Sequence, residues 1–293
     1  MRLSERFYSN VFILPALIYL LIMVGYPMFE NLRLSLYNVD VMNIAGTPSF
    51  IGLSNYRALL HDDIFWKSTY NTLIYTVLCI VLQFIIGFVL ALLFSQKFSL
   101  AERLRGLVMI SWLMPITVTG LMFKFMFSLN GGILNEILMS LHLVHQPVEW
   151  LVNPSNSMWA VIIANTWIGV PFNMILITTG LTTIPKDVYE SASIDGANAM
   201  DKFFRITLPL LKPAITSLLV LGFIYTFKVF DLIVIMTNGG PVNATEMMST
   251  FSYKLSFVEY KFSEGATVAN VLFIILFLVS LGYLKLVSKE EVM

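Results

Sequence analysis

Six long apolar segments alternate with polar segments along the chain. A helix needs about 20 predominantly apolar residues to cross the hydrocarbon core of a bilayer. The segments that reach this length cover residues 11–36, 72–94, 107–129, 158–181, 213–237 and 267–287. The pattern predicts an all-α membrane protein with six transmembrane helices, organised as a single transmembrane domain over residues 1–293.

Prolines affect the predictions for the first and third spans. The first apolar segment contains Pro15 and Pro27, and it is longer than the apolar core of about 7–15 residues in a cleavable signal peptide. We therefore predict a retained first helix that is kinked at its outer end. The third segment contains Pro115, which a membrane helix tolerates when neighbouring groups satisfy the freed carbonyl. We therefore predict a third span over residues 107–129 that contains this proline.

The composition excludes a soluble globular domain. Of the 293 residues, 57% are hydrophobic and 12% are charged, whereas soluble domains have about 45–50% apolar and about 25% charged residues. The net charge of +0 gives no support for binding nucleic acid. The single cysteine, Cys79, excludes an intrachain disulfide. We interpret His142 and His145 as a solvated loop pair, although their spacing would also suit a metal, and predict no metal site.

The distribution of basic residues predicts the orientation of the bundle. Lysine and arginine are retained in loops on the cytoplasmic side. One side of the predicted bundle holds Arg2, Arg6, Lys97, Arg103, Arg105, Lys186, Lys202, Arg205, Lys212, Lys285 and Lys289, and the other holds Arg33, Arg57, Lys67, Lys254 and Lys261. The larger group places both termini, and the loop after the fourth span, in the cytoplasm.

The loop between the fourth and fifth spans is long enough for two short helices. Pro185 suits the first turn of a helix, and Gly196 can adopt the positive φ that ends one. A second helix over residues 198–205 would present Phe203 and Phe204 on one amphipathic face. This pattern predicts a helix–turn–helix projection into the cytoplasm. A connector lying on the lipid headgroups is the alternative.

This loop resembles the signature of binding-protein-dependent ABC importer permeases. That signature reads Glu-Ala-Ala, three residues, Gly, nine residues, Ile, one residue, Leu-Pro. The chain has Glu190-Ser191-Ala192, Gly196, Ile206 and Leu208-Pro209 at the same spacings, with Ser191 in place of the usual alanine. The resemblance implies that residues 185–209 form the coupling helices in a cleft of the ATP-binding subunit, with Glu190 as the charged anchor. The residues implied in coupling are Tyr189, Glu190, Ser191, Ala192, Asp195, Gly196, Ala197, Phe203, Leu208 and Pro209.

A second resemblance concerns the end of the fifth span. Phe227, Phe230-Asp231 and Thr237-Asn238-Gly239-Gly240-Pro241, together with residues 50–56, are similar to carbohydrate-uptake permeases of the maltose and glycerol-3-phosphate type. The chain contains no Gly-x-x-x-x-Gly-Lys-Ser/Thr phosphate loop. The resemblance therefore implies that ATP and magnesium bind to a partner ATPase and that no catalytic residue lies on this chain.

The same resemblance implies the partners. It places the chain in the bacterial inner membrane as half of a pore, beside a second, homologous but distinct permease subunit. Two ATP-binding subunits would dock from the cytoplasm, and an extracytoplasmic solute-binding protein would deliver the carbohydrate for transport by alternating access.

Polar and aromatic residues of the fourth and fifth spans are the candidates for a solute pathway. Sugar recognition needs aromatic faces as well as amide or hydroxyl groups, and charged groups within spans are functional candidates. The candidates are Tyr225, Phe227, Lys228, Phe230, Asp231, Asn238 and Asn173, with Asn165 and Trp167 as further members.

Two lysines lie within predicted spans. Lys228 and Asp231 stand three residues apart, so they would pair on one helix face unless Lys228 faces the pore. Lys124 is expected to extend toward the interface. If both lysines face the pathway, the solute is an anionic saccharide.

Two other classes of function fit the composition less well. A secondary transporter driven by an ion gradient would share the apolar spans but has no need for the long cytoplasmic loop. An intramembrane enzyme would need paired acids, a histidine cluster or a nucleophile with its base inside the spans. His61, His142 and His145 all fall in loops.

Overall fold

The computed structural model describes residues 2–96 and 99–290, and these residues form a predominantly helical chain. Lys97, one of the basic residues behind the predicted orientation, lies outside the described residues. Strand β1 (Tyr37–Asn38) pairs antiparallel with β2 (Ser49–Phe50), and Tyr37 lies opposite Phe50.

The helices are numbered in chain order. The first group is α1 (Arg2–Leu20), α2 (Tyr26–Ser35), α3 (Ser54–Leu59), α4 (Asp63–Ser95), α5 (Ala101–Leu113), α6 (Ile116–Met126) and α7 (Ile133–Ser140). The second group is α8 (Pro154–Thr182), α9 (Lys186–Ile194), α10 (Ala199–Lys202), α11 (Leu208–Leu210), α12 (Lys212–Phe227), α13 (Asp231–Met236), α14 (Met248–Tyr253) and α15 (Phe262–Glu290). Short π-helical turns cover Leu21–Gly25, Phe203–Thr207 and Lys254–Val258.

Four helical stretches are long and apolar enough to cross a bilayer without a break. They are Val11–Ser35, Asp63–Ser95, Pro154–Thr182 and Phe262–Lys285. Two bent helix pairs raise the number within the described residues to six if each pair is one span. The prediction of an all-α membrane protein is confirmed.

The third predicted span is a bent pair of helices that is interrupted at Pro115. Helix α5 ends at Leu113, helix α6 begins at Ile116, and the two are bent by 98°. Met114 has an extended ψ of 136° because the ring of the following proline disfavours the helical region. Pro115 also lacks the N–H that a continuous helix would use.

The fifth predicted span is also interrupted. Helix α12 ends at Phe227, and α13 begins only at Asp231. At its other end, α12 is bent by 62° from the segment Ala199–Leu210. The residues between α12 and α13 are Lys228, Val229 and Phe230, and we call residues 228–230 the span-five break.

The chain divides into two compact units. The first unit runs up to Trp66 and includes Phe251–Ile274. Within it, Asn31 Nδ2 donates to Asn270 Oδ1 at 2.7 Å, and the Tyr56 hydroxyl lies 2.8 Å from Ser35 Oγ. Asn270 Nδ2 also donates to the Tyr56 oxygen at 3.4 Å. These bonds join α2, α3 and α15 through side chains that would be costly to leave unpaired away from water.

The second unit contains Lys67–Thr250 and the residues after Ile274. One apolar cluster includes Tyr75, Phe127 and Ile233, and another includes Phe88, Met174 and Leu218. Helices α4 and α8 approach closely because Gly87 lacks a side chain: an added Cβ would lie 2.6 Å from Asn173 Cβ. This crossing holds together the helices that form the candidate site.

Candidate functional site

A cavity of about 490 Å³ lies beside the span-five break. The break itself supplies Lys228, Val229 and Phe230 to the wall, and Asp231 follows them. The rest of the lining comes from α4, α5, α6, α8, α12 and α13, as Gln83, Trp112, Ile116, Asn165, Ile168, Gly169, Phe172, Asn173, Gly222, Tyr225, Thr226 and Leu232. A break in a membrane helix is tolerated where its backbone lines a cavity.

Two buried amides form one wall of the cavity. Gln83 Nε2 donates to the carbonyl of Asn165 at 3.0 Å, and Asn173 Nδ2 donates to the carbonyl of Gly169 at 2.9 Å. Both side chains are buried, with exposed fractions of 5% for Gln83 and 3% for Asn173. Each amide therefore donates to a backbone carbonyl of α8 and keeps an oxygen that has no donor among the described residues.

Aromatic rings form another part of the lining. Trp112 and Phe172 stack with ring centroids 6.1 Å apart and an angle of 30° between the planes. Tyr225 is 63% exposed within the chain and, like Phe230, belongs to the lining. Aromatic faces next to fixed amides give the cavity both apolar and hydrogen-bonding surfaces.

Lys228 and Asp231 do not pair on one helix face, which was one of the two alternatives that the sequence left open. The ammonium group of Lys228 lies over the ring of Tyr225, 5.4 Å from its centroid. Lys228 follows the last residue of α12, whereas Asp231 begins α13, so they do not share a helical face. Within the described part of the chain, no ion pair joins them. Both charged groups are exposed and belong to the cavity lining.

Five of the seven predicted pathway residues meet in this cavity: Tyr225, Lys228, Phe230, Asp231 and Asn173. The other two lie elsewhere. Phe227 is fully buried and stacks on Phe223, with ring centroids 5.0 Å apart. Asn238 lies after α13 with a positive φ of 51°.

Of the further candidates Asn165, Trp167 and Lys124, one lines the cavity and two do not. Asn165 lines the cavity. Trp167 faces a second cavity of about 690 Å³, which is almost entirely apolar in its lining. Lys124 donates to the carbonyl of Ile235 at 3.0 Å, so it binds the backbone of α13 instead of only extending to the interface.

The loop after α13 is bonded to α4, and the helix that follows it, α14, is bonded to the span-five break. Asn71 Nδ2 of α4 donates to the loop carbonyls of Asn243 and Glu246 at 3.1 and 3.0 Å. The hydroxyl of Ser249, in the first turn of α14, donates to the carbonyl of Val229. Helix α14 therefore helps to hold the backbone of the break in its non-helical conformation.

The loop between α8 and α12 forms the predicted helix–turn–helix. Helix α9 (Lys186–Ile194) ends where Gly196 adopts a φ of +80°, and Ala197 N–H donates back to the carbonyl of Ala192 at 2.9 Å. Asn198 then caps α10 by accepting from the N–H groups of Met200 and Asp201. Gly196 has open space around it, so the left-handed conformation, and not crowding, requires the glycine.

The loop is joined to the membrane helices by one face and leaves the other exposed. Phe203 packs edge-on against Phe88 of α4 with centroids 5.8 Å apart, and Tyr189 and Leu208 pack against the same apolar cluster. Within the loop, Tyr189 Oη lies 2.9 Å from Thr207 Oγ1. Glu190, Ser191, Asp195 and Pro209 are exposed, and Ala192, Ala197 and Leu208 are half-buried.

Phe203 and Phe204 do not share a face, so that prediction is wrong. Phe203 points toward α4, whereas Phe204 is 55% exposed. The π-helical turn Phe203–Thr207 changes the angular spacing between these residues. Phe204 is one of three large apolar side chains in this loop that are exposed. The other two are Ile194, which is 87% exposed, and Met200, which is 66% exposed.

Sequence reasoning missed Gln83, Trp112 and Phe172. Gln83 had a usable signal, because it is the only amide in the apolar segment 72–94, and polar residues inside spans are functional candidates. Trp112 and Phe172 had no such signal, since aromatic residues occur throughout these spans.

Comparison with known proteins agrees with the fold and with the loop motif. The family described as "Binding-protein-dependent transport system inner membrane component" matches residues 83–289. A sulfoquinovosyl glycerol transport system permease, SmoG of Agrobacterium fabrum, is 31% identical over 99% of this chain and 93% of the relative. The trehalose/maltose transport system permease MalF of Thermococcus litoralis is 34% identical over 97% of this chain and 95% of the relative.

Solved structures show the same fold. A chain of a bacterial alginate ABC transporter, solved in complex with a periplasmic protein bound to alginate pentasaccharide, superposes with a TM-score of 0.82 at 22% identity. The match covers 96% of this chain and 94% of that one. Together with the family match, this shows that the chain belongs to the binding-protein-dependent transport system inner membrane components and is a permease subunit of an ABC importer.

Proposed function

We propose that this permease moves a carbohydrate through the cavity at the span-five break by alternating access. The observation that supports this proposal most directly is the lining, which combines stacked aromatic rings with two buried amides. The volume of about 490 Å³ lies within the range of about 300–1,000 Å³ for small-molecule sites. The names of the relatives specify sulfoquinovosyl glycerol and trehalose or maltose, which supports a carbohydrate as the solute class.

The charges in the lining favour a neutral or singly anionic sugar. Lys124 binds the carbonyl of Ile235 and is not part of the lining. One ammonium, from Lys228, and one carboxylate, from Asp231, remain. A polyanionic solute would meet this carboxylate as a like charge, which opposes its binding. Lys228 can pair with a single acidic group or donate to hydroxyls.

The helix–turn–helix at residues 185–209 is proposed to couple the cavity to ATP hydrolysis on a separate subunit. Its exposed apolar side chains, Ile194, Met200 and Phe204, surround the Gly196 turn and suit a cleft on a partner. Glu190 is exposed near this surface and would be the charged anchor.

We propose the following assembly. Two ATP-binding subunits, which hold ATP and magnesium, dock at this loop from the cytoplasm. A second, homologous permease completes the pore, and an extracytoplasmic solute-binding protein delivers the sugar. Both termini of this chain then lie in the cytoplasm, and membrane lipid surrounds its apolar spans.

Uptake by the complete complex in proteoliposomes tests the proposal. Maltose, trehalose and sulfoquinovosyl glycerol serve as probes, with the solute-binding protein outside and ATP inside. Tyr225→Ala should raise KM about tenfold, since an aromatic contact contributes about 0.5–1.5 kcal/mol beyond its buried area. Phe125→Ala, at a residue that is 75% exposed and outside the lining, is the matched control. Equal KM values for the two variants would contradict the placement of the site.

Two further measurements separate the alternatives. Lys228→Met should weaken uptake of the acidic probe more than that of the neutral ones, if an acidic group pairs with Lys228. Unchanged uptake of the acidic probe would contradict that role.

Glu190→Lys should release the ATP-binding subunits during purification, whereas Glu136→Lys, in helix α7, should not. Uptake that proceeds without ATP but follows an ion gradient would instead support a secondary transporter.

A further inference from the structure

Gln83 is held in an unusually restricted position on α4. Its amide group lies against the backbone of Gly169 on α8: a Cβ added at Gly169 would lie 2.2 Å from Gln83 Cδ and 2.4 Å from both Nε2 and Oε1. Similar distances to all three atoms mean that the flat amide covers the α-carbon of Gly169. The side chain is 5% exposed, so packing also restricts its rotation.

The hydrogen bond to Asn165 determines which end of the amide faces the cavity. Nε2 donates to the carbonyl oxygen of Asn165 at 3.0 Å. If the amide turned over, Oε1 would face that carbonyl as a second acceptor, and no hydrogen bond could form. The amide oxygen is thus fixed as the free end.

Oε1 has no donor among the residues that the structure describes, and Gln83 belongs to the cavity lining. Oε1 is not among the enclosed side-chain atoms that lack a partner, so it opens to the cavity, where a donor on a bound molecule can reach it. Asn173, one turn beyond Gly169 on α8, repeats the arrangement by donating to the carbonyl of Gly169. The wall therefore offers oriented acceptors, and a molecule with hydroxyl groups supplies the matching donors.

We propose that Gln83 is a specificity-determining residue, whose Oε1 accepts a hydrogen bond from one hydroxyl group of the transported sugar. The inference rests on the proposed function, in that it takes the cavity as the solute site. A site built to bind a hydroxyl discriminates against an analogue that lacks it, because a buried polar group is then left unpaired. The contact is neutral and single, so we expect an effect of about 3- to 10-fold in KM.

The test compares Gln83→Met with the native complex in the same proteoliposome assay. The parent solute is the one of maltose, trehalose and sulfoquinovosyl glycerol that the native complex transports best, with a set of its monodeoxy analogues. Methionine is similar in length but offers no comparable acceptor. KM for the parent sugar should rise about 3- to 10-fold with kcat unchanged, whereas a merely structural role would lower the amount of assembled complex and leave KM unchanged.

The deoxy series identifies the hydroxyl. For one analogue, the native complex should show a higher KM than for the parent sugar. The Gln83→Met complex should show the same KM for that analogue and for the parent sugar, because the two changes remove the same contact. Additive losses for every analogue, or an unchanged KM for the parent sugar, would overturn the proposal. Gln96→Met, at an exposed residue just after α4, is the control for loss of an amide.

Two precautions keep the result interpretable. If Gln83→Met does not assemble, Gln83→Asn is used, since its shorter amide withdraws the oxygen while staying polar, and the same rise in KM is expected. If Tyr225→Ala raises KM as expected but neither Gln83 variant does, the role of Gln83 is refuted and the cavity remains the proposed solute site. No response to Tyr225→Ala refutes the cavity as the solute site.

Discussion

Gly87→Ala tests whether the crossing of α4 and α8 sets the geometry of the cavity. The added methyl group would lie 2.6 Å from Asn173 Cβ, 3.1 Å from the Met174 nitrogen and 3.2 Å from the Val170 carbonyl oxygen. Carbon atoms in contact are ordinarily about 3.5–4.0 Å apart. Two of the three neighbours are backbone atoms and the third is bonded directly to the backbone, so none can turn away and the helices must separate by about 1 Å.

The expected cost has two parts. Overpacking of this kind typically destabilises by about 1–3 kcal/mol. Separation of the helices would also stretch the bond from Gln83 to the Asn165 carbonyl beyond its present 3.0 Å, which removes about 1 kcal/mol more. Because a loss of 1 kcal/mol lowers the thermal midpoint by about 2–4 °C for a chain of 150–250 residues, we expect a decrease of at least about 4 °C.

The assay is thermal unfolding of the detergent-solubilised complex, followed by uptake measurements. Gly106→Ala in α5 is the matched control, since open space surrounds that glycine and alanine favours a helix by about 1 kcal/mol. Gly87→Ala should melt earlier than the control and show a higher KM. Equal thermal midpoints for the two variants would refute the argument that close contact at Gly87 holds these helices.

Three further substitutions test other parts of the structure. Gly196→Ala places a side chain at a φ of +80°, which costs about 1–2 kcal/mol. This variant should lower ATP-driven uptake while the solute-binding protein still binds to the complex. Unchanged uptake would contradict a role for the turn. Tyr189→Phe removes the contact with Thr207 at 2.9 Å and should weaken coupling by about 1 kcal/mol, measured as less ATP hydrolysed when the binding protein is added. Asn135→Leu removes four hydrogen bonds of a side chain that is 1% exposed, including one from the Trp150 indole, and should lower the thermal midpoint of the complex by at least about 4 °C.

The apolar segments and the helix–turn–helix of residues 185–209 could be predicted because both depend on local sequence. Long apolar runs predict helices in a membrane regardless of their neighbours. The turn at Gly196 also follows from a local requirement, namely a positive φ that glycine adopts without strain. In both cases the residues that determine the conformation lie next to one another in the sequence.

The span-five break could not be predicted in the same way. Residues 227–231 contain no glycine or proline, so the apolar run reads as one helix. What holds the break lies farther along the chain: Ser249 donates to the carbonyl of Val229, a group that a continuous helix would pair internally. The interruption at Pro115 differs from this case, because the proline is visible in the sequence. Whether a proline interrupts a membrane helix depends on neighbouring groups that could satisfy the freed carbonyl, and the sequence does not show these groups.

The span-five break divides the fifth span into two helical pieces that can act as rigid bodies. A hinge needs only a few residues that absorb a change of φ and ψ, and residues 228–230 lie between α12 and α13. Here Val229 N–H donates to the Thr226 carbonyl, and the Phe230 carbonyl accepts from Val234 N–H. A change of angle at the cavity would affect these terminal bonds, while the inner turns of α12 and α13 would keep theirs. The torsional freedom that alternating access requires would then be located at the solute itself, where a bound sugar could bias it directly.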